Sequence, residues 1–331
     1  MGVSYSCDKL EKTIHFLPTR IAFCCSNAQG ASTKDLDFSN FNLQIIQKER
    51  NNYIQALQKG KLPKECEGCC EYKEIESKTF LQKIFSKQEE KNNKIQHIII
   101  DHYKQCDCNC IYCSGKLLYP NITQNYEVLP FIRELYKNDL IDKENLLVEF
   151  QGGNISLLTE FQSLMEEFNK ENATRYIFLT NNIKYIEEIE KYGNKPDSIL
   201  SVSLDAGTKE TYKKIKGVDT FDIVVQNIKK YRNNTQLLIF LKYIILEGIN
   251  DNLEELEHFL NLAKEIGVNG EVSLEIDYRK MFMNNPEEFK IPQVYYDMFN
   301  LAEDYCKKNN LPYKCNDYHK LALKKGTNKF N

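Results

Sequence analysis

Between residues 95 and 277 six short apolar runs alternate with amphipathic stretches, and few folds accommodate such a series. The runs are 95–101 (IQHIIID), 146–152 (LLVEFQG), 176–181 (YIFLTN), 199–205 (ILSVSLD), 237–247 (LLIFLKYIILE) and 271–277 (EVSLEID). Their length and their β-branched and aromatic content fit parallel strands buried on both faces. Between them lie helical patterns over 157–172, 184–192, 221–231 and 253–266, and 294–308 follows Pro292. The clearest places Leu253, Leu256, Phe259, Leu260, Ala263 and Ile266 on one face, with Gly267 as a stop signal. These stripes read as core packing and nothing more. Six βα units argue for an α/β fold with a parallel sheet and helices outside it. Six is two short of a closed eight-stranded barrel. The pattern alone leaves an open barrel and a flat doubly wound sheet equally available.

Residues 1–94 show no such alternation. A helix is expected over 42–60, and the charged stretch 71–92 reads as a second helix or a linker. No run approaches eighteen consecutive apolar residues, so no membrane span is expected. The opening MGVSYSCDKLEKTIHFL lacks a basic start followed by an apolar run, so it is not a secretory signal and a cytoplasmic protein is the default. A net charge of −3 gives no electrostatic reason to expect nucleic acid as a partner.

A reducing compartment changes how the 12 cysteines read. Grouped cysteines there are more often metal ligands or catalytic groups than disulfides. Cys24 and Cys25 are adjacent, Cys66, Cys69 and Cys70 form a second group, and Cys106, Cys108, Cys110 and Cys113 a third. Cys7, Cys306 and Cys315 stand alone and read as ordinary thiols. The third group follows directly on the first strand and contains Cys106-x-x-x-Cys110-x-x-Cys113. A fixed spacing of three cysteines arises by chance about 0.02 times in a chain of this composition. Thiolates are the natural ligands of an iron–sulfur cluster, and three of them leave one iron open to bind a small molecule. Cys108 is read as a non-ligand, because using it changes both spacings. A zinc knuckle is the competing reading of such a loop.

At this point the sequence resembles the radical SAM superfamily. Cys106, Cys110 and Cys113 match its cluster motif, and Tyr112 stands where that family places an aromatic residue between the last two cysteines. Gly152-Gly153-Asn154, after the second strand, is similar to the family's Gly-Gly-Glu element that holds the methionyl amino group, with Asn154 replacing the usual Glu. Ser203 and Asp205 resemble residues that bind the ribose hydroxyls, and Lys242 is a candidate for the methionyl carboxylate, with a plain strand-end charge as the alternative. The resemblance covers roughly residues 95–280. It implies a partial (β/α)6 barrel with its site at the C-terminal ends of the strands. It also implies a 4Fe–4S cluster and S-adenosylmethionine as cofactors, and an electron donor such as flavodoxin or ferredoxin. The reduced cluster then splits S-adenosylmethionine to methionine and a 5′-deoxyadenosyl radical, which takes a hydrogen atom from the substrate.

Residues 22–72 run from an early cysteine through a helix and a Lys-Gly-x-x-Pro turn to Cys66-x-x-Cys69-Cys70. This is similar to the SPASM-type auxiliary-cluster modules of radical SAM enzymes, although those modules usually follow the barrel. Cys66, Cys69 and Cys70 offer three thiolates, and Cys24 or Cys25 a fourth, for a second iron–sulfur cluster; four thiolates suit zinc equally. The expected organisation is a cysteine-rich module over 1–94, a barrel core over 95–282 and a helical extension over 283–331. The expected activity is oxidation or epimerisation of a small molecule or glycan, with Cys108 as a candidate hydrogen donor. A peptide-modifying maturase and a non-catalytic zinc scaffold are the alternatives.

Overall fold

The computed structural model describes residues 3–24, 31–33, 43–67, 69, 72–76, 94–113, 115, 126–170, 174–277, 279 and 291–315. Cys25 and Cys70 lie outside the described residues. The chain divides into two compact units. One comprises Met1–Gln105, Asn121–Gly153 and Leu158–Arg175; the other comprises Cys106–Pro120, Asn154–Leu157 and Tyr176–Asn331.

The first unit contains β1 (Val3–Ser6), α1 (Asp8–Lys12), β2 (Thr13–Phe16), β3 (Ile21–Ala22), α2 (Leu43–Gln58) and β4 (Lys73–Glu76). It continues with β5 (His97–Ile100), α3 (Leu129–Lys137), β6 (Leu147–Phe150) and α4 (Phe161–Phe168). Strands β2, β5 and β6 pair in parallel, with Phe16 opposite Ile100 and Ile100 opposite Phe150, and β3 closes the edge antiparallel to β2. Separately, β1 and β4 form a two-stranded antiparallel ribbon in which Ser6 faces Lys73.

The second unit holds β7 (Arg175–Leu179, from Tyr176 onward), α5 (Glu187–Gly193), β8 (Ile199–Ser203), α6 (Lys209–Lys216) and α7 (Phe221–Asn234). Then come β9 (Leu238–Ile245), α8 (Leu253–Ile266), β10 (Glu271–Ile276), α9 (Gln293–Lys308) and β11 (Tyr313–Cys315). Its five strands run parallel in the order β7-β8-β9-β10-β11. The α/β class with parallel strands is therefore as expected, and each of the six apolar runs contains a strand.

The reason is visible in the burial. Ile98, Ile99 and Ile100 of β5 are buried, and so are successive residues of β8, β9 and β10. Strands covered on both faces need unbroken apolar character. Helices begin and stop where their caps dictate. The Asn252 side chain accepts a hydrogen bond from the Glu255 N–H at 2.9 Å to start α8, and Gly267, at φ 72°, ends it in the left-handed conformation.

Among the elements that depart from expectation are three strands. Thr13–Phe16 adds a parallel strand to β5, although this segment carried no βα signal. Tyr313–Cys315 adds another beside β10 within the stretch expected to be helical. The charged segment 71–92 contains the strand β4 at Lys73–Glu76; residues 77–92 lie outside the described residues.

Candidate functional site

The loop Cys106–Cys113 has no regular secondary structure beyond a turn, so its shape depends on tethers. Within the second unit they come from two directions. The Asn109 N–H donates to the Lys216 carbonyl at 2.8 Å and the Ile111 N–H to the Ile215 carbonyl at 3.0 Å, so the loop docks on the last turn of α6. From the end of β10, Arg279 Nη1 donates to the Ile111 carbonyl at 2.7 Å, while its Nε is held by the Asp277 carboxylate at 2.9 Å. The close approach to α6 requires Gly217. This residue is left-handed at φ 70°, and a Cβ there would stand 2.9 Å from Asn109 Cβ. Cys113 closes a turn by donating its N–H to the Cys110 carbonyl at 3.2 Å.

Behind the loop lies a buried charged trio. Asp205 is fully buried at φ 61°, immediately after β8. Its Oδ1 accepts the Ile244 N–H at 2.9 Å. Its Oδ2 accepts both the Lys216 ammonium, at 2.5 Å, and the Tyr112 hydroxyl. Lys216 also donates to the Tyr112 hydroxyl at 2.6 Å and lies over that ring, 4.9 Å from its centre. The Tyr112 ring packs against Ile215, Ile244 and Leu246. Burial alone would lower the Lys216 pKa, but the Asp205 carboxylate outweighs it and holds the ammonium above its ordinary range. Burial, reinforced by the Asp205 charge, pushes the Tyr112 phenol well up. A buried ion pair with one hydroxyl bridging both charges is a rigid brace, and here it fixes the aromatic residue between the last two cysteines.

The thiols themselves are differentiated. Cys106 is exposed, Cys110 and Cys113 are half-buried, and Cys108 is buried. Hydrogen bonding to Cys106 and Cys110, then burial, push the Cys108 thiol far up, so it stays protonated. The hydrogen bond from Cys108 is the main factor holding Cys110 below its ordinary range; burial opposes this and the Lys216 charge assists. A donor set with one thiol predisposed to ionise and two more on the same loop fits a metal cluster that takes thiolates.

Asn154 is almost fully buried and engaged on every side. Its Nδ2 donates to Asp107 Oδ1 at 3.0 Å and to Ser156 Oγ at 2.8 Å, and its Oδ1 accepts the Thr180 hydroxyl at 3.0 Å. Asn181 joins the group, donating from Nδ2 to the same Asp107 oxygen and to Cys108 Sγ at 3.2 Å. In this arrangement Asn154 positions the cluster loop through Asp107. Ser203 is half-buried at the end of β8, opposite Lys242 in register. The Lys242 ammonium is paired with Glu275 at 3.1 Å.

The two glycines belong to the first unit. Gly152 has φ 107°, and a Cβ there would lie 2.3 Å from Asp101 Oδ1 and 2.8 Å from the Tyr103 carbonyl. At Gly153 a Cβ would lie 2.2 Å from the Gln105 carbonyl oxygen. Both positions therefore need glycine to let the β6 end approach the segment that runs into the cysteine loop.

Asp107, Asn181, Lys216, Asp277 and Arg279 were not anticipated from the sequence. Lys216 sits in the string KETYKKIK, whose four lysines carry no signal that one of them is buried against a carboxylate.

Comparison with known proteins decides the family. Residues 100–263 match the Radical SAM superfamily. The chain belongs to the radical SAM superfamily. A GTP 3′,8-cyclase of Clostridium botulinum is 25% identical over 182 residues, which cover 52% of this chain and 54% of that protein. The chain thus spans about half the length of the curated relatives it matches. Among solved structures, Streptococcus suis SuiB bound to precursor peptide SuiA superposes with a TM-score of 0.53 at 13% identity, over 82% of this chain and 62% of that one. Native anSMEcpe with bound AdoMet gives 0.52 at 17% identity, over 68% and 64%. At such identities these two likenesses concern the fold. Membership of the superfamily implies a 4Fe–4S cluster and S-adenosylmethionine as cofactors. Among the described residues no helix is long and apolar enough to cross a membrane.

Proposed function

We propose that this chain is an enzyme that cleaves S-adenosylmethionine reductively at a cluster held by Cys106, Cys110 and Cys113, and uses the resulting radical on a small molecule or glycan. The observation that carries this reading is the tethering of the three-cysteine loop to α6 and to the end of β10. When bound, the cluster supplies the single electron that splits the sulfonium into methionine and a 5′-deoxyadenosyl radical. The chain's own residues do the rest. Gly217 and Arg279 set the loop, and the Lys216–Asp205–Tyr112 brace holds it against movement. Tyr112, Gly152, Gly153, Asn154, Ser203, Asp205 and Lys242 remain the residues assigned to S-adenosylmethionine. For Asp205 and Lys242, whose charges are already paired, that assignment is reduced to backbone positioning unless the pairs open.

A second metal site, similar to a SPASM element, is assigned to Cys24, Cys66 and Cys69, with Cys70 outside the described residues. Its role is electron acceptance in a net oxidation. Cys108 is the candidate donor for an epimerisation, because a hydrogen-atom donor must carry S–H and this thiol is held protonated. The named activity of the cyclase relatives supports a small-molecule substrate. The likeness to SuiB over most of this chain favours a second reading, a peptide substrate. Reduced enzyme with S-adenosylmethionine is to be offered protease-treated cell extract below about 1 kDa, and separately a peptide fraction. A rise in 5′-deoxyadenosine only with the first supports the proposal; a rise only with the protease-sensitive fraction refutes it. In heavy water, one deuterium placed on the product by the wild type and not by Cys108→Ala marks epimerisation.

A further inference from the structure

We propose that Asp107 supplies the carboxylate that the Gly152-Gly153-Asn154 element lacks, and that it accepts a hydrogen bond from the α-amino group of S-adenosylmethionine. This rests on the cofactor site proposed above and adds a residue to it. In the family element that this stretch resembles, the third residue is a glutamate. Here an amide stands in its place and carries no charge.

The hydrogen bonds around Asn154 lead to the replacement. Its Nδ2 donates to Ser156 Oγ at 2.8 Å and to Asp107 Oδ1 at 3.0 Å, so both amide hydrogens are used. Its orientation is fixed by Thr180, whose hydroxyl donates to Asn154 Oδ1 at 3.0 Å while accepting the Asn182 N–H at 3.2 Å. Asn181 is oriented in the same manner. Its Oδ1 accepts the Ile183 N–H at 3.1 Å, and its Nδ2 donates to the same Asp107 oxygen. Two oriented amides therefore hold Asp107 by Oδ1, and among the described residues no side chain donates to Oδ2.

Charge singles out the same residue. Asp107 is exposed, and among the described residues it pairs with no cation. The other carboxylates described at the site are engaged: Asp205 with Lys216, Glu275 with Lys242 and Asp277 with Arg279. One Asp107 oxygen lies within 4.8 Å of the Cys106 and Cys108 sulfurs, so this negative charge stands beside a thiol assigned to the cluster. A carboxylate fixed through one oxygen and open at the other is prepared to accept from an amino group, and such charge-assisted bonds are stronger than neutral ones.

Binding is measured by equilibrium dialysis on the full-length, cluster-loaded chain without reductant, so that nothing turns over. The probes are S-adenosylmethionine and its analogue with hydrogen in place of the α-amino group. Asp107→Asn should weaken S-adenosylmethionine about tenfold or more, the scale of one hydrogen bond to a charged group. The same substitution should leave the analogue within about twofold of its wild-type affinity, because the interaction it removes is absent there. Iron and sulfide content of Asp107→Asn should match the wild type, and so should its electron-spin signal on reduction without S-adenosylmethionine, which shows that loop and cluster are intact. S-adenosylmethionine affinity within about twofold of wild type overturns the proposal. So does an equal loss for both probes, or loss of iron, since Asp107 then acts by shaping the loop or by ligating the cluster. Failure of the radical SAM reading looks different, since the wild type itself would then hold no iron–sulfur cluster or bind neither probe.

Discussion

Lys216→Met tests the brace behind the cysteine loop. The substitution keeps the length of the side chain and removes its charge. It leaves the fully buried Asp205 carboxylate with only the Tyr112 hydroxyl and the Ile244 N–H as donors. Removing one partner of a buried ion pair costs about 3–5 kcal/mol. Spread over local opening, that corresponds to faster amide exchange by roughly two to three and a half decades. The assay is hydrogen exchange read by mass spectrometry on peptides covering 106–113 and 242–250, which carry the Asn109, Ile111 and Ile244 amides that the brace protects. Adding Asp205→Asn to Lys216→Met should recover most of the protection. Exchange within threefold of wild type, or a double variant no better protected than Lys216→Met, refutes the reasoning.

Four further outcomes are expected. Gly217→Ala combines a left-handed backbone with a Cβ 2.9 Å from Asn109, and should speed cluster loss to a chelator severalfold while far-UV circular dichroism stays unchanged. Gly153→Ala places a Cβ 2.2 Å from the Gln105 carbonyl, and should lower thermal stability by several degrees or abolish soluble expression. Asn154→Ala removes the partner of Asp107 and Thr180, costing about 1–3 kcal/mol in denaturant melts; a change below about 0.5 kcal/mol contradicts its positioning role. Arg279→Gln should release the Ile111 carbonyl and broaden the electron-spin signal of the reduced cluster, with little change in overall stability.

The parts of the fold that could be read from sequence are those with runs of apolar residues. Strands β5, β8 and β10 and the end of β9 announce themselves by successive buried apolar residues, while β6 and β7 alternate buried with partly exposed positions and are marked by their apolar, aromatic and β-branched content. The strand β2 escaped because it is four residues long and its two polar members, Thr13 and His15, are buried as deeply as Ile14 and Phe16. The strand β11 escaped because it is three residues long and its middle residue, Lys314, is exposed.

The candidate site divides the same way. Cys106, Cys110 and Cys113 were legible because a short loop keeps their spacing in the sequence. Gly152 and Gly153 stood out only through the resemblance to a family element, and the structure adds a physical reason, since neither leaves room for a Cβ. Lys216 and Arg279 were not legible, because each acts on a loop more than a hundred residues away and a lone basic residue carries no signature. Lys242 illustrates the opposite case. Its position matched a family contact, but its partner Glu275, two residues past Ser273, the residue that faces Lys242 on the neighbouring strand, could be found only from the register.

The most direct measurement is the yield of 5′-deoxyadenosine and methionine from S-adenosylmethionine, with dithionite as reductant, by anaerobically purified protein. The account predicts a brown protein that forms both products in equal amounts, and a Cys110→Ala variant that forms neither. A colourless zinc protein, or product formation undiminished in Cys110→Ala, would contradict it.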